Sequence, residues 1–339
     1  MEQLIISLVK IVIVVLVIFT TVANLVYVER RMSAFIQNRL GPNRVGPWGL
    51  FQAPADVLKL FLKEDIVPAR ANKTVHTLAP IISITVALST FAVVPFGDTI
   101  TLFGREIKLQ IADVNIGVLY ILALTSMGVY GLTLSGWASN NKYSLLGGLR
   151  SSAQMISYEL SMGLSIIGVV MVAGSLELDR IVEAQAGLAW NAVLTPIGFI
   201  TFVVASFAET NRLPFDLPEA EPELVGGYHT EYSGMKFGTF FLAEYANMIT
   251  ASALIVTLFL GGWQIPYLET LGLSALWASV LQVLAFVVKV GVVLVFFIWI
   301  RWTIPRFRYD QLMNLGWKVM LPLALLNIAI TGIGILLLS

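Results

Sequence analysis

Eight times along the chain an apolar run reaches about 20 residues, the length a helix needs to cross the hydrocarbon core of a bilayer. The runs lie at about 4–27, 75–94, 116–137, 153–173, 190–208, 237–262, 276–300 and 319–338. They are continuous rather than alternating, which excludes a membrane barrel, and an open sheet in lipid would leave its edge groups unpaired. The pattern predicts an all-α integral membrane protein: one polytopic domain, 1–339, built as a bundle of eight transmembrane helices. The first run has no basic leader and no obvious small-residue cleavage site, so it is expected to stay as a spanning helix and not to act as a signal peptide.

The connections carry their own patterns. Val28 to Thr74 opens with Glu29-Arg30-Arg31 and passes through NRLGPNRVGPWG, whose Gly and Pro force turns. It then reads PADVLKLFLKED, where Asp56, Lys59 and Lys63 share one helical face and Val57, Leu58, Phe61 and Leu62 spread over the other. Pro54 suits the start of this amphipathic helix, which either lies at the headgroups or lids a cavity entered from the membrane. On the opposite side, TITLFGREIKLQI alternates about Gly104-Arg105 and predicts a small external β-hairpin with a two-residue turn.

Basic residues set the orientation. Sixteen of the 21 Lys and Arg fall in alternate connections beginning with the first. The positive-inside rule makes those connections cytoplasmic and places both termini outside. Lys10, near the outer end of the first run, can snorkel to the headgroups and is assigned no function.

Composition narrows the function. Of 339 residues 57 % are hydrophobic and 12 % charged, and mean hydropathy is +0.83. The 21 basic and 21 acidic residues cancel, removing any general case for nucleic-acid binding. With no cysteine the chain cannot by itself hold an iron–sulfur cluster or thiolate metal site. His76 and His229 fall at or beyond the ends of apolar runs and read as interfacial hydrogen-bonding residues. No metal ligand set and no resident redox cofactor are expected.

The charge that remains is concentrated between the fifth and sixth runs, in AETNRLPFDLPEAEPELVGGYHTEYSGMKFGTFFLAE, Ala208 to Glu244. Seven of its nine charged residues are carboxylates: Glu209, Asp216, Glu219, Glu221, Glu223, Glu231 and Glu244. Pro214, Pro218 and Pro222 should break any helix, and Glu219, Glu221 and Glu223 alternate, so an extended segment would aim all three one way. Phe215, Leu217, Leu224 and Val225 interleave with the acids, a mixture suited to lining a cavity or docking a partner.

Charges also enter the spans. Glu159, Glu244 and Lys289 lie within them, and Glu29 and Glu209 close the cytoplasmic ends of the first and fifth. A charge at the bilayer centre costs about 2.5–3.5 kcal/mol on insertion scales, so such groups face the bundle interior and mark pathways. The four glutamates share the side of the acidic loop and form a candidate chain of titratable groups, with Lys289 deeper as counter-charge and terminus. The competing reading is that they pair with basic residues and fix helix packing.

The acidic stretch, together with ERRMSAFIQNRLGPNRVGPWG, LFLKED, LAP and WIRWTIPRFRYDQLMNLGWKVMLP, resembles the quinone-site membrane subunits of respiratory complex I, lettered H in bacteria and the counterpart of the first mitochondrially encoded subunit. The likeness covers essentially the whole chain. It implies membership of a proton-translocating NADH:quinone oxidoreductase in the bacterial inner membrane. Quinone would enter from the lipid as substrate, and FMN and iron–sulfur clusters would reside in partner subunits. The other membrane and peripheral subunits, membrane quinone and lipids are the implied partners.

The resemblance also implies roles. Glu29, Asp56, Glu159, Glu209, Asp216, Glu219, Glu221, Glu223, Glu231 and Glu244 would form an acidic relay, extended by Lys289. Arg30, Arg39 and Arg301 would line the quinone tunnel near its mouth, with Phe241 and Leu242 flanking the entrance. In QAPAD the proline stands one place later than expected from bacterial relatives, so the start of the amphipathic helix is expected to shift. The alternatives are the equivalent subunit of a membrane-bound hydrogenase or formate hydrogenlyase complex, and a stand-alone secondary transporter.

Overall fold

The structure is a computed structural model that describes residues 2–102, 105–187, 189–217, 221–268 and 274–338. Its elements run α1 Glu2–Ile36, α2 Gln52–Leu62, α3 Lys73–Thr90, β1 Thr99–Leu102, β2 Arg105–Lys108, α4 Gly117–Ala138, α5 Lys142–Ala173, α6 Leu178–Ala184, α7 Asn191–Leu194, α8 Pro196–Glu209, α9 Glu221–Leu224, α10 Gly234–Phe259, α11 Ala275–Thr303, α12 Tyr309–Asn314 and α13 Leu321–Leu338. A six-residue π-helix, Leu315–Met320, joins α12 to α13 into one helical run.

Among the described residues, seven helices are long and apolar enough to cross a membrane. The fifth expected span, 190–208, differs. It consists of the single turn α7 and the 14-residue α8, broken at Thr195-Pro196, where proline has no N–H to continue the ladder. At 1.5 Å per residue α8 reaches only about 21 Å.

Other spans are longer than their apolar runs. α1 continues nine residues past the expected end and α5 begins eleven before the expected start. Charges in both extensions find partners, so they do not end the helix. α3 packs on α4, α4 on α5, and α5 on α8 and α13. α10, buried over most of its length, packs on α3 and α11 at the centre.

The β-hairpin forms, one residue out of the expected register. Leu102 pairs with Arg105 and Thr99 with Lys108, so Arg105 belongs to the strand and not to the turn. The amphipathic helix starts at Gln52, two residues before Pro54, which sits in the first turn where its missing N–H has no acceptor to lose.

The expected extended run of glutamates is also corrected. Glu221–Leu224 is a helical turn, with Pro222 tolerated at its start. The backbone over 221–224 is therefore helical, without the two-residue repeat that an extended strand would have. Glu219 lies outside the described residues.

Candidate functional site

Part of what folds the acidic stretch onto the bundle carries no charge. The Gln154 side-chain amide, on α5, donates to the carbonyls of Ala208 at 2.7 Å and Phe215 at 2.8 Å. A Cβ on Gly147 would stand 2.7 Å from Gly227 Cα and from Tyr228 N, so only glycine lets α5 meet the loop this closely. The far end of the stretch is held to the residues after α2. Ser233 Oγ accepts from Ile66 N at 2.9 Å and donates to Glu64 O at 3.1 Å, and Lys236 pairs with Asp65 at 2.9 Å.

His76 lies near the start of α3, at the end of the second run. It is fully buried, with its ring stacked on Tyr232 at 3.9 Å. His229 lies in a single 3-10 turn, where burial lowers its pKa to about 4.

At the centre is Arg212, 3 % exposed. Its Nη1 donates to Glu29 Oε2 at 2.9 Å, and its Nε makes a close ionic contact with Glu244 Oε1 at 2.5 Å. The guanidinium lies over the Tyr245 ring, 4.1 Å from the centroid, and the Tyr245 hydroxyl donates to Glu29 Oε2 at 2.7 Å. Arg301 on α11 donates to the other Glu29 oxygen at 2.5 Å. Burial works against the charge of Arg212, and Glu244 and Glu29 more than offset it, holding its pKa above the ordinary value. Four segments are thus pinned through one carboxylate: α1, the loop after α8, α10 and α11.

A second base answers a second acid. Arg306 donates to Asp216 Oδ2 at 2.8 Å. Burial raises the Asp216 pKa to about 6 against the lowering effect of Arg306.

The remaining carboxylates divide into two groups. Glu209 and Glu244 both line a largely enclosed cavity of about 40 Å³, with Thr125, Asn211, Tyr228 and Asn247 among its other walls. That is room for about two or three waters with several polar neighbours. Glu159, one helix over, accepts from the Ser126 hydroxyl. It also lies in a shallow apolar groove of about 420 Å³ on the outer face of α5, among Leu122, Ile156, Leu160 and Ile167. The second group is tied to other parts of the chain. Asp56 pairs with Arg30 at 2.6 Å, Glu223 with Arg150 at 2.5 Å, and Glu231 accepts from Asn141 at 2.6 Å. For Glu221 only the backbone is described.

Lys289 lies apart from these acids. Its Nζ donates to the carbonyls of Leu260, Gly262 and Gln264 at 2.8, 3.0 and 2.9 Å, just past the end of α10. Of the tunnel candidates, Arg30 and Arg301 are joined to Asp56 and Glu29 as above. Phe241 is partly exposed with its ring 4.9 Å from that of Tyr245, and Leu242 packs on the main core. Arg39 bonds to Gln37 at 2.6 Å and lines a groove between the end of α1 and Trp299.

Arg212, Tyr245, Gln154 and Arg306 were not singled out from the sequence. The available signal was arithmetic: Arg212 is the lone arginine or lysine among six carboxylates from Glu209 to Glu231, and a buried acid demands a partner.

Known proteins share this sequence over nearly its full length. A family model described as NADH dehydrogenase matches residues 9–332. NADH-quinone oxidoreductase subunit 8 of Rhodothermus marinus is 56 % identical over 330 residues, 94 % of each chain. The first H-lettered NADH-quinone oxidoreductase chain of Cytophaga hutchinsonii is 55 % identical over 311 residues, 92 % of this chain and 91 % of the relative. The H-lettered chain of Salinibacter ruber is 55 % identical over 327 residues, 92 % of this chain and 91 % of the relative. With one family model covering nearly the whole chain and relatives above half identity over nine-tenths of it, this chain belongs to the family of H subunits of NADH-quinone oxidoreductase, respiratory complex I.

Proposed function

We propose that this chain forms the membrane side of a quinone tunnel and carries the acidic relay through which quinone reduction drives proton pumping. Its family makes it a membrane subunit of the proton-translocating NADH:quinone oxidoreductase. The roles given to individual residues are our reading.

One observation carries it: Glu29, Glu244 and Glu209 are linked in series by one base and one cavity. In this reading quinone approaches past Phe241 and Leu242, with Arg30, Arg39 and Arg301 along the mouth. A change of charge there acts on Glu29, which Arg212 shares with Glu244. Protonation of Glu244 weakens its hold on Arg212 and leaves the base to Glu29, so the state at the tunnel is passed to α10. The cavity then offers a water-sized path from Glu244 to Glu209, and Glu159 follows on the adjoining helix. Asp56, Asp216, Glu219, Glu221, Glu223 and Glu231 supply the cytoplasmic approach to this path, and Lys289 extends it toward the opposite side.

Surroundings follow from the same assignment. α7 and α8 together make an eighth crossing, both termini lie on the periplasmic side, and the basic connections face the cytoplasm of a bacterial inner membrane. Soluble partner subunits hold the FMN and iron–sulfur clusters that deliver electrons, since this chain has no cysteine to hold a cluster. The Glu159 groove is covered by a neighbouring membrane subunit, because a carboxylate facing lipid is costly.

The test is made in the assembled complex. Glu244→Gln and Glu159→Gln should each lower the protons pumped per electron while quinone reduction continues. Unchanged pumping in both variants would sink the relay. A photoreactive quinone should label the first cytoplasmic connection and be displaced by quinone-site inhibitors.

A further inference from the structure

Beyond Ile36 the chain leaves α1, takes a left-handed turn at Asn38 and folds back so that Gly41 approaches the Arg31 side chain. This return makes one wall of a groove of about 560 Å³ whose other wall includes Trp299 of α11. Most of the lining is apolar, from Met32, Phe35, Ile36 and Leu40, and two guanidiniums, Arg31 and Arg39, stand among them. Phe35 and Leu40 are 84 % and 85 % exposed.

The two bases are not absorbed by the protein's own acids. Arg31 donates to the Tyr27 hydroxyl at 3.0 Å and the Trp48 carbonyl at 2.9 Å, both neutral. Arg39 uses its Nε on Gln37. Among the described residues neither has a carboxylate partner, in contrast to Arg30, Arg212, Arg301 and Arg306, each joined to one. Two uncompensated guanidiniums at the end of a spanning helix, bordering a wide apolar groove with an interfacial tryptophan, match one chemistry. The ligand has an anionic phosphate head and a hydrocarbon tail.

We propose that this groove is a binding site for an anionic phospholipid, with the phosphodiester between Arg31 and Arg39 and an acyl chain along Phe35 and Trp299. A quinone passing the tunnel mouth can accept a hydrogen bond from Arg39, but its neutral head has no charge to answer Arg39 and Arg31 together. A zwitterionic lipid offers the phosphate but brings an amine that the two guanidiniums repel. The bound lipid would fix the fold of the returning segment 37–41 against α11, beside the proposed tunnel mouth.

The experiment uses the assembled complex in nanodiscs with a phosphatidylglycerol bearing a diazirine on its acyl chain. Peptides containing Phe35 and Trp299 should be labelled. Unlabelled phosphatidylglycerol should displace the label at concentrations about thirty-fold below phosphatidylcholine, as two interfacial bases imply. Arg31→Gln with Arg39→Gln should abolish that preference, and the double lysine variant should keep most of it. Arg39→Gln alone, which leaves the Arg31 contacts to Trp48 intact, should lower it about five-fold and serves if the double variant fails to assemble. Equal displacement by the two lipids, a preference unchanged by the glutamines, or displacement by a short-chain quinone but not by phosphatidylglycerol would each overturn the proposal.

Discussion

Arg212 and Glu29 lie 183 positions apart in sequence and meet at 2.9 Å in the interior of the bundle. Neither is satisfied by the other alone: the arginine also takes Glu244, and the glutamate also takes Arg301 and Tyr245. Removing one member of a buried charged network strands the rest and costs about 3–5 kcal/mol. Arg212→Gln should therefore destabilise the protein by that order, measured as loss of assembled complex and a lower unfolding temperature in detergent. Adding Glu244→Gln should recover part of the loss, since the double variant buries one charge fewer, and a double-mutant cycle reads the coupling directly.

Tyr245 offers a finer probe of the same network. Its hydroxyl donates to a buried carboxylate while its ring lies under the Arg212 guanidinium. Tyr245→Phe keeps the ring and removes the hydrogen bond, so the expected loss is about 1.5–3 kcal/mol. Tyr245→Leu removes both and should cost more. Equal losses in a thermal assay would mean that the ring contact contributes nothing.

Gly147 tests whether close seating of the acidic stretch matters. An added Cβ meets backbone atoms of Gly227 and Tyr228 at 2.7 Å, which flexible side-chain motion cannot relieve. Gly147→Ala should push the stretch away from α5 at a cost of about 1–3 kcal/mol. If the stretch couples tunnel and relay, pumping per electron should fall more steeply than quinone reduction in this variant.

The main helices were legible because a bilayer tolerates almost nothing else, so apolar length alone announces them. Their ends were not. Glu29, Arg30 and Arg31 look like the close of α1 until Arg212, Arg301 and Asp56 are known to answer two of them. α8 was read as an ordinary span because a hydropathy window passes over the Thr195-Pro196 break. Within the site, the acids were visible as acids, while the residues that organise them are a glutamine, a glycine and bases supplied by segments far apart in sequence. The burial of His76 was hidden for the same reason, since its ring stacks on Tyr232, more than 150 positions away. Long-range pairing is invisible to any local pattern.

Two groups in the acidic stretch should tilt the pH dependence of stability in opposite directions. Burial, partly offset by Arg306, leaves the Asp216 pKa at about 6, above its ordinary 3.8. Between those values the native state binds more protons than the unfolded state, so Asp216 makes stability fall as pH rises through this window. Burial takes His229 the other way, from 6.5 to about 4. Between those values the native state binds fewer protons, so His229 makes stability rise with pH. Unfolding temperatures of the detergent-solubilised complex from about pH 4 to about pH 8 should show the difference. Asp216→Asn should make the rise across about pH 4–6 steeper than in the wild type, His229→Asn should flatten or reverse it, and the double variant should lie between. Toward about pH 8 the four curves should become parallel, because both groups are then close to fully deprotonated in either state. A shift of the Asp216→Asn and His229→Asn curves in the same direction across that acid range would mean that one of the two side chains is not buried as described.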